Sequence, residues 1–369
     1  MATLAENAAA VKAAQVAIDA AIVAKGGTTA GGLANAAAAI GSINTDIEVP
    51  WDGWRNDGNT HIWIEVKAGR KMYLMNNKST LPAYSATVDW GDGSELYRIV
   101  NSRIDLSHVY AEDGRYVISI TSDDMTFLQN ANGSEESNSY SIFCANDYNW
   151  TPEVRFVEIG SSVLSIISAF QKCSYLLGVK IPDSVSYLGS SAFRGCCSLQ
   201  RLSAHGVTDV KNRVLENSGT LYIDLPNVER IGNEFMRNNT GIREYAAPPS
   251  LSSVGERVFD NVVSLEVADF SQTTIEDFGS RFFFNGQLTT LRLPATTKSL
   301  ASNFMQAGFV TNLFVLATQP PTIQSNTFHT SSSIGKIFVP AGSVDAYKNA
   351  TNWSVYASKV NPIEDGGAS

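Results

Sequence analysis

Two adjacent cysteines, Cys196 and Cys197, stand in the stretch AFRGCCSL, and Cys173 lies 23 residues before the first of them. Adjacent thiols invite three chemistries: a metal ligand pair, a redox couple or a nucleophile. A zinc site needs more ligands than these, and no CxxC pair occurs anywhere in the chain. Three acidic residues, Asp89, Asp92 and Asp105, offer carboxylate oxygens that would suit calcium, a hard cation. The competing reading is that Asp89 and Asp92 hydrogen-bond their own turn. The histidines at 61, 108, 205 and 329 fall in unrelated parts of the chain, and His108 reads as a bonding partner within the fold. The pair Asp123-Asp124 lies in a loop-like stretch, and paired carboxylates are too frequent to imply a glycosidase. No G-x-S-x-G, Walker loop, H-E-x-x-H or dinucleotide-type G-x-G-x-x-G is present. The expectation is a non-enzyme that uses no cofactor.

The cysteines make sense once the chain is searched for internal repeats. Phe170, Phe193, Leu215, Phe235, Phe259, Phe282, Phe304 and Phe328 follow one another at intervals of 23, 22, 20, 24, 23, 22 and 24 residues. Most are followed six residues later by a second apolar residue: Leu176, Leu199, Leu221, Leu265, Leu288, Val310 and Ile334. Phe235 fits less well, with Gly241 at the sixth place and Ile242 just after it. A short β-like run such as GVKIP, LYIDLP or KIFVP belongs to each unit, followed by a small polar turn. One such unit cannot bury its apolar face alone, whereas stacked neighbours bury a continuous core, so the eight anchors predict a solenoid with internal ladders. Cys173 and Cys196 then occupy the same place in adjacent coils, three residues after their phenylalanines. Later units put Ser218, Asn238, Val262 and Asn285 there, so the position reads as a small buried turn residue. A Cys173–Cys196 disulfide stays open on geometry, since neighbouring strands lie about 4.8 Å apart.

The stretch IPDSVSYLGSSAFRGCCSL, residues 181–199, resembles the BspA-type leucine-rich repeat, I-P-x-S-V-x-x-I-G-x-x-A-F-x-x-C-x-x-L, nearly position by position. The ending IFVPAGSVDAYKNATNWSVYASKVNPI is similar to the close of such arrays. The units at 202–221 and 222–242 depart from the pattern, and curvature is expected to change there. Upstream, Trp90-Gly91-Asp92-Gly93 followed by His108, Tyr110, Gly114 and Tyr116 resembles the polycystic-kidney-disease (PKD) type of β-sandwich, with HIWIEVKAG and KMYLMN as earlier strands. That resemblance implies a spacer or platform.

Residues 1–43 are alanine-rich, and Leu4, Ala8, Val11, Gln15, Ile18 and Ile22 form a seam of about three heptads. With Ala24-Lys25-Gly26 they weakly resemble the start of phage tail and fibre proteins. The competing reading is a packing helix within one chain. The fold class is therefore mainly β with short helices, in five parts. These are a helical attachment segment at 1–43, an Ig/PKD-like β-sandwich at 44–125 and a connecting segment at 126–150. A leucine-rich-repeat solenoid follows at 151–340, with a C-terminal cap and tail at 341–369.

Composition narrows the partners. The formal net charge is −9 and there is no long basic run, which argues against nucleic acid bound through its phosphates. Only 17% of residues are charged, against roughly 25% in soluble chains, as in many β-rich surface and virion proteins. No run reaches 18 apolar residues, so no membrane insertion is expected. The start has no basic n-region, and Glu6, Lys12 and Asp19 interrupt any apolar core, so a secretory signal is not expected. Those features favour a phage virion protein of the tail fibre, baseplate or capsid-decoration type. It would be a homo-oligomer anchored through 1–43 to sister copies or other virion proteins, with its repeats facing a host glycan or protein. The alternative is a BspA-like adhesin on a bacterial surface.

Overall fold

The structure is a computed structural model and describes residues 49–76, 85–100, 104–122, 153–328 and 334–364. The attachment seam (Leu4, Val11, Gln15, Ile18 and Ile22) and the connecting segment 126–150 lie outside the described residues.

The first unit is antiparallel. It comprises β1 (Thr60–Val66), β2 (Lys71–Asn76), β3 (Ser85–Asp89), β4 (Tyr97–Val100), β5 (Ile104–Val109) and β6 (Gly114–Ser122). β2 pairs with β5, while β4, β3, β6 and β1 form a second sheet in that order. Apolar residues of both sheets, including Ile62, Ile64, Met72, Leu74, Val88, Leu106, Ile118 and Ile120, share one buried cluster. The turn after β3 requires glycine. Gly91 has φ +79°, and a Cβ there would sit 2.3 Å from the Val117 carbonyl oxygen.

From residue 153 the chain runs in coils. The strands are β7 (Glu153–Glu158), β8 (Ser165–Ile166), β9 (Gly178–Lys180), β10 (Tyr187–Leu188), β11 (Arg201–Ser203) and β12 (Asp209–Val210). They continue as β13 (Tyr222–Asp224), β14 (Arg230–Ile231), β15 (Glu244–Ala246), β16 (Ser253–Val254), β17 (Val267–Asp269) and β18 (Asp277–Phe278). β19 (Gln287–Leu293), β20 (Ser299–Leu300), β21 (Phe309–Val315), β22 (Ile334–Val339) and β23 (Val360–Pro362) complete the set. One side of each coil carries β7, β9 and the longer strands after them in parallel register. The strand run is interrupted on either side of the β11–β13 pair, within the two units that depart from the repeat in sequence. A second side carries the two-residue strands, β8-β10-β12-β14-β16 and β18–β20.

The third side is a corner built on left-handed residues. Each of seven coils places two positive-φ residues four apart, at 168/172, 191/195, 213/217, 234/238, 257/261, 281/285 and 303/307. Between them two consecutive side chains point inward. Backbone bonds fix the register there, for example Phe193 N–H to Val214 O, Phe259 N–H to Phe282 O and Phe283 N–H to Phe304 O. They align Phe170, Phe193, Leu215, Met236, Phe259, Phe283, Met305 and Phe328 in one column. The residues just before them form the next column, with Phe235, Phe282 and Phe304. Ring stacking agrees: Phe259 stacks on Phe283 at 5.4 Å and Phe282 on Phe304 at 5.9 Å. All eight sequence anchors are buried, but three of them belong to the neighbouring column. The turn residues in line with Cys173 and Cys196 are therefore Asn239 and Gly286, rather than Asn238 and Asn285. Leu221 corrects a second expectation. It is 52% exposed, and Thr220, five residues after Leu215, is buried in its place, as Leu288 and Val310 are five residues after Phe283 and Met305.

Asparagine suits the second left-handed column because its short amide tolerates that conformation. Asn217, Asn238, Asn261 and Asn285 occupy it in four successive coils. Each amide donates to the one before, at 3.0, 2.9 and 2.8 Å.

The ends of the solenoid are closed differently. At the C-terminus α1 (Val344–Asn349) and the buried Tyr347, Trp353 and Tyr356 cover the last coil. The Trp353 indole N–H donates to Pro321 O and the Tyr347 hydroxyl to Ala317 O. At the N-terminus β1 pairs antiparallel with β7, which in turn pairs parallel with β9. One hydrogen-bonded sheet, β4-β3-β6-β1-β7-β9, therefore runs from the first unit into the coils.

Candidate functional site

Trp63 and Phe156 are buried yet stand outside the main apolar cluster. They pack on the opposite face of the sheet, where the strap Pro50–Asn59 crosses β1 and β7. Trp54 meets Trp63 edge-on at 5.5 Å, and Trp51 and Trp54 meet Phe156 at 6.3 and 6.2 Å. Asp52 accepts from the Trp63 indole at 2.7 Å, and the buried Glu158 accepts from the backbone N–H groups of Arg55 and Asn56. Lys180 joins Glu158 at 2.7 Å and bonds the Asn56 amide oxygen. The strap closes the outward face of the first two coils.

Beyond it the outward face of the sheet is open. Cross-strand register sets Arg201 beside Tyr222 on the β11–β13 pair and, after the interruption, places Glu244, Val267, Thr290, Asn312 and Lys336 in one outward row. Beside them lie Ser203 and Asp224 on the first pair, and Ala246, Asp269, the buried Arg292, Phe314 and Phe338 in a second row on the longer sheet. Two clusters stand on it. At one end the Arg201 guanidinium lies 4.5 Å over the Tyr222 ring and 3.9 Å from Asp224. Asp224 Oδ2 also accepts from Ser203 Oγ at 3.0 Å and lies 2.9 Å from His205 Nε2. At the other end Arg292 lies over Phe314 at 4.3 Å, and Phe314 stacks on Phe338 at 4.7 Å. Two ion pairs lie along these strands, with Asp269 3.8 Å from Arg292 and Glu266 2.7 Å from Arg243. The arrangement supplies aromatic surface flanked by paired hydrogen-bonding groups, which is the composition of a recognition surface.

Two serine–histidine–aspartate groupings test the non-enzyme reading. In the Ser203–His205–Asp224 cluster one imidazole nitrogen, Nε2, meets both partners, so no relay runs through the ring. The second is a true line. His61 Nε2 meets Asp57 Oδ1 at 2.9 Å, and His61 Nδ1 meets Ser119 Oγ at 3.0 Å. With the Nε2–H given to Asp57, the other nitrogen accepts the serine proton, as a general base would. Burial works to raise the Asp57 pKa, but the hydrogen bonds from His61 and Asn59 prevail and hold it at about 2. Ser119 sits at mid-strand on β6, paired with His61 on one side and Asp89 on the other, so the local amides are committed to the ladders. An acyl-transfer site needs amides free to hold an oxyanion. The line is a cross-strand tie.

The acidic residues of the first unit are placed as follows. Asp89 Oδ1 accepts from Gly91 N–H at 2.8 Å and Asp92 Oδ1 from Ser94 N–H at 3.1 Å. Asp92 Oδ2 meets His108 Nε2 at 2.6 Å. Burial raises the Asp92 pKa, but these bonds and the His108 charge outweigh it and hold it at about 2. Asp105 lies opposite Met75 on β5, and its side chain falls outside the described residues. Among the described residues no group of three or more potential metal ligands comes together. Trp90 stacks on His108 at 5.0 Å, and the buried Tyr110 hydroxyl donates to Trp90 O at 2.9 Å. His329 lies outside the described residues.

Cys173 and Cys196 are buried in adjacent coils, and Cys197 is exposed. Cys196 Sγ donates to Phe170 O at 3.2 Å, and burial pushes its thiol well above the ordinary range. A thiol so placed is a poor nucleophile. No helix among the described residues is long and apolar enough to cross a membrane.

The open face went unseen in the sequence because its residues share no type; only the strand register assembles them. A second signal was available, since the outward positions of the short strands hold Arg, Tyr and Asp where a plain solenoid needs only small polar residues.

Comparison with known proteins bears on the coils. The leucine-rich repeat protein from Bacteroides ovatus ATCC 8483 is 16% identical, and the match covers 60% of this chain and 74% of that one, with a TM-score of 0.33. The T. pallidum leucine-rich repeat protein TpLRR is 18% identical over 46% of this chain and 83% of that one, with a TM-score of 0.30. The pneumococcal vaccine antigen PcpA is 13% identical over 58% and 67%, with a TM-score of 0.30. No curated protein matches the chain. The model of the BspA type leucine rich repeat region matches in six copies over residues 165–290 and 270–352, more than half of the chain. With stacked parallel coils and two inward apolar columns, the chain belongs to the BspA-type leucine-rich repeat family.

Proposed function

We propose that this chain is a recognition protein displayed on a bacterial surface, binding a host glycan or protein through the outward face of its sheet. The observation that carries this is the open two-row face beyond the strap, bearing the Arg201–Tyr222–Asp224 and Arg292–Phe314–Phe338 clusters. Tyr222, Phe314 and Phe338 are half-buried on that face, and the buried Arg292 packs against Phe314. The first unit acts as a PKD-like spacer, a reading supported by the Trp90–His108–Asp92–Tyr110 contacts around its glycine turn. The test is binding of the purified chain to an array of host glycans and extracellular-matrix proteins, repeated with Tyr222→Ala and Phe338→Ala. A partner lost at least tenfold in either variant supports the reading. A partner held equally by both variants refutes the face.

A second reading, a phage virion display protein, is favoured by the seam of Leu4, Val11, Gln15, Ile18 and Ile22. Under it the same face meets the host cell, and 1–43 mounts sister copies on the particle. Deleting 1–43 distinguishes the two. Loss of incorporation into particles supports the virion role. Unchanged display on intact bacteria supports the adhesin.

A further inference from the structure

The left-handed corner of the coils carries a row of guanidinium groups more numerous than the buried carboxylates they pair with. Arg194, Arg213, Arg237, Arg257 and Arg281 come from five consecutive coils, one from each. At the spacing of neighbouring strands they cover about 19 Å. Lys172 stands one coil earlier, in line with the second left-handed column.

Three carboxylates lie beneath the row. Glu216 is 2.6 Å from Arg194 and 3.6 Å from Arg237. Glu234 is 2.7 Å from Arg213, 3.4 Å from Arg237 and 3.5 Å from Arg257. Asp260 is 3.2 Å from Arg281. The carboxylate side chains are between 4% and 10% exposed, and the guanidinium groups between 27% and 43%. Acid lies inside and base outside. Burial disfavours the charged form of Glu234, but the hydrogen bond from Arg213 and the charges of Arg213, Arg237 and Arg257 keep its pKa below the ordinary value.

Five arginines over three carboxylates leave an excess of positive charge, which Glu256, an exposed neighbour of Arg257, reduces without cancelling. The chain as a whole carries −9. Beside the row runs the exposed asparagine ladder, Asn217–Asn238–Asn261–Asn285, a line of amides at the same spacing. Arg281 also lies over the Phe284 ring at 3.9 Å, which holds its plane fixed.

We infer that this corner binds an acidic polysaccharide, a chain bearing a sulfate, carboxylate or phosphate group at intervals of about one coil. Planar guanidinium groups on a rigid scaffold suit such anions, which they meet through paired N–H groups. The regular spacing favours a periodic chain over a single ion, and the amide ladder offers donors and acceptors to its hydroxyl groups. This site is separate from the outward sheet face and goes beyond the function proposed for it.

The test uses the full chain and immobilised dextran sulfate, with neutral dextran and single-stranded DNA as comparisons. Dextran sulfate should bind and neutral dextran should not. Affinity should fall about 100-fold between roughly 50 and 200 mM salt, as release of counterions from five contacts requires. The paired substitution Arg213→Gln/Arg257→Gln should weaken binding at least tenfold. Asn238→Asp/Asn261→Asp adds two carboxylates beside the row without removing an arginine, and it should weaken binding as much. It keeps the test decisive if the arginine variant fails to fold. Tyr222→Ala should leave dextran sulfate binding unchanged, which separates this site from the sheet face. Equal binding to neutral dextran, equal binding to single-stranded DNA, or folded variants of both kinds with unchanged affinity would each overturn the proposal.

Discussion

Replacing Asn261 probes the corner that sets the pitch of the coils. Its φ is +61°, and its side chain sits mid-ladder. The amide donates to Asn238 at 2.9 Å and accepts from Asn285 at 2.8 Å. Asn261→Ala removes both bonds, at about 0.5–1 kcal/mol each for exposed amides. It also forces a Cβ-bearing residue without local hydrogen bonding into the left-handed region, at about 1–2 kcal/mol. The total is about 2–4 kcal/mol. Asn261→Gly loses the same bonds but escapes the left-handed penalty, adding instead about 0.5–1 kcal/mol of chain entropy. Glycine should therefore be the milder change by about 0.5–1 kcal/mol. Urea unfolding followed by far-ultraviolet circular dichroism gives both values. Asn238→Ala/Asn261→Ala should cost less than the two single changes together, because the bond between them is counted twice. If alanine proves no worse than glycine, and the double variant is additive, neither the left-handed strain nor the ladder holds this corner.

Other outcomes follow from the core and the first unit. Phe193→Ala should cost about 3–5 kcal/mol, since its ring is fully buried and stacked on Phe170, and thermal melting should show it against a near-neutral Phe309→Ala at an exposed site. Gly91→Ala should destabilise the first unit more than Gly93→Ala, because only the former meets a carbonyl oxygen, and differential scanning calorimetry should resolve the two. Asp92 has a folded pKa of about 2, below its ordinary value of about 3.9. Its contribution is complete above pH 4 and is lost as pH falls towards 2. Asp92→Asn should therefore flatten stability in that window, measured by acid titration of tryptophan fluorescence. Iodoacetamide should label Cys197 in the native protein and spare Cys173 and Cys196, and peptide mass mapping after reaction in urea should show all three. Equal native labelling of Cys196 would contradict its burial.

The period of the coils could be read from the chain because stacking demands an inward aromatic or aliphatic residue once per turn. The phase could not be read everywhere. Two successive positions point inward at the corner, so Phe282 and Phe283, or Phe304 and Met305, serve equally well as anchors until the backbone bonds choose between them. The left-handed columns were hidden for another reason. Ser191, Arg213, Glu234 and Arg257 share a backbone conformation and no side-chain chemistry. The arginine row escaped notice because its members are about twenty residues apart, so no basic run marks them. The strap escaped because Trp51 and Trp54 find Phe156 across roughly a hundred residues of chain. The acidic turn at 89–92 was legible as a self-bonded turn, since Asx-type bonds are local.

The shared sheet from β4 to β9 has a mechanical consequence. Seven residues of β1 pair with β6, and five pair with β7 across a bulge. No loop interrupts the path, so the first unit and the opening coils cannot pivot about one another. Tension applied through the chain that enters at β1 loads these pairs lengthwise, all at once, rather than peeling them one by one. The strap, pinned by Glu158 and Lys180, sits across the same joint and resists its slipping. A joint built this way holds its length and its angle under load.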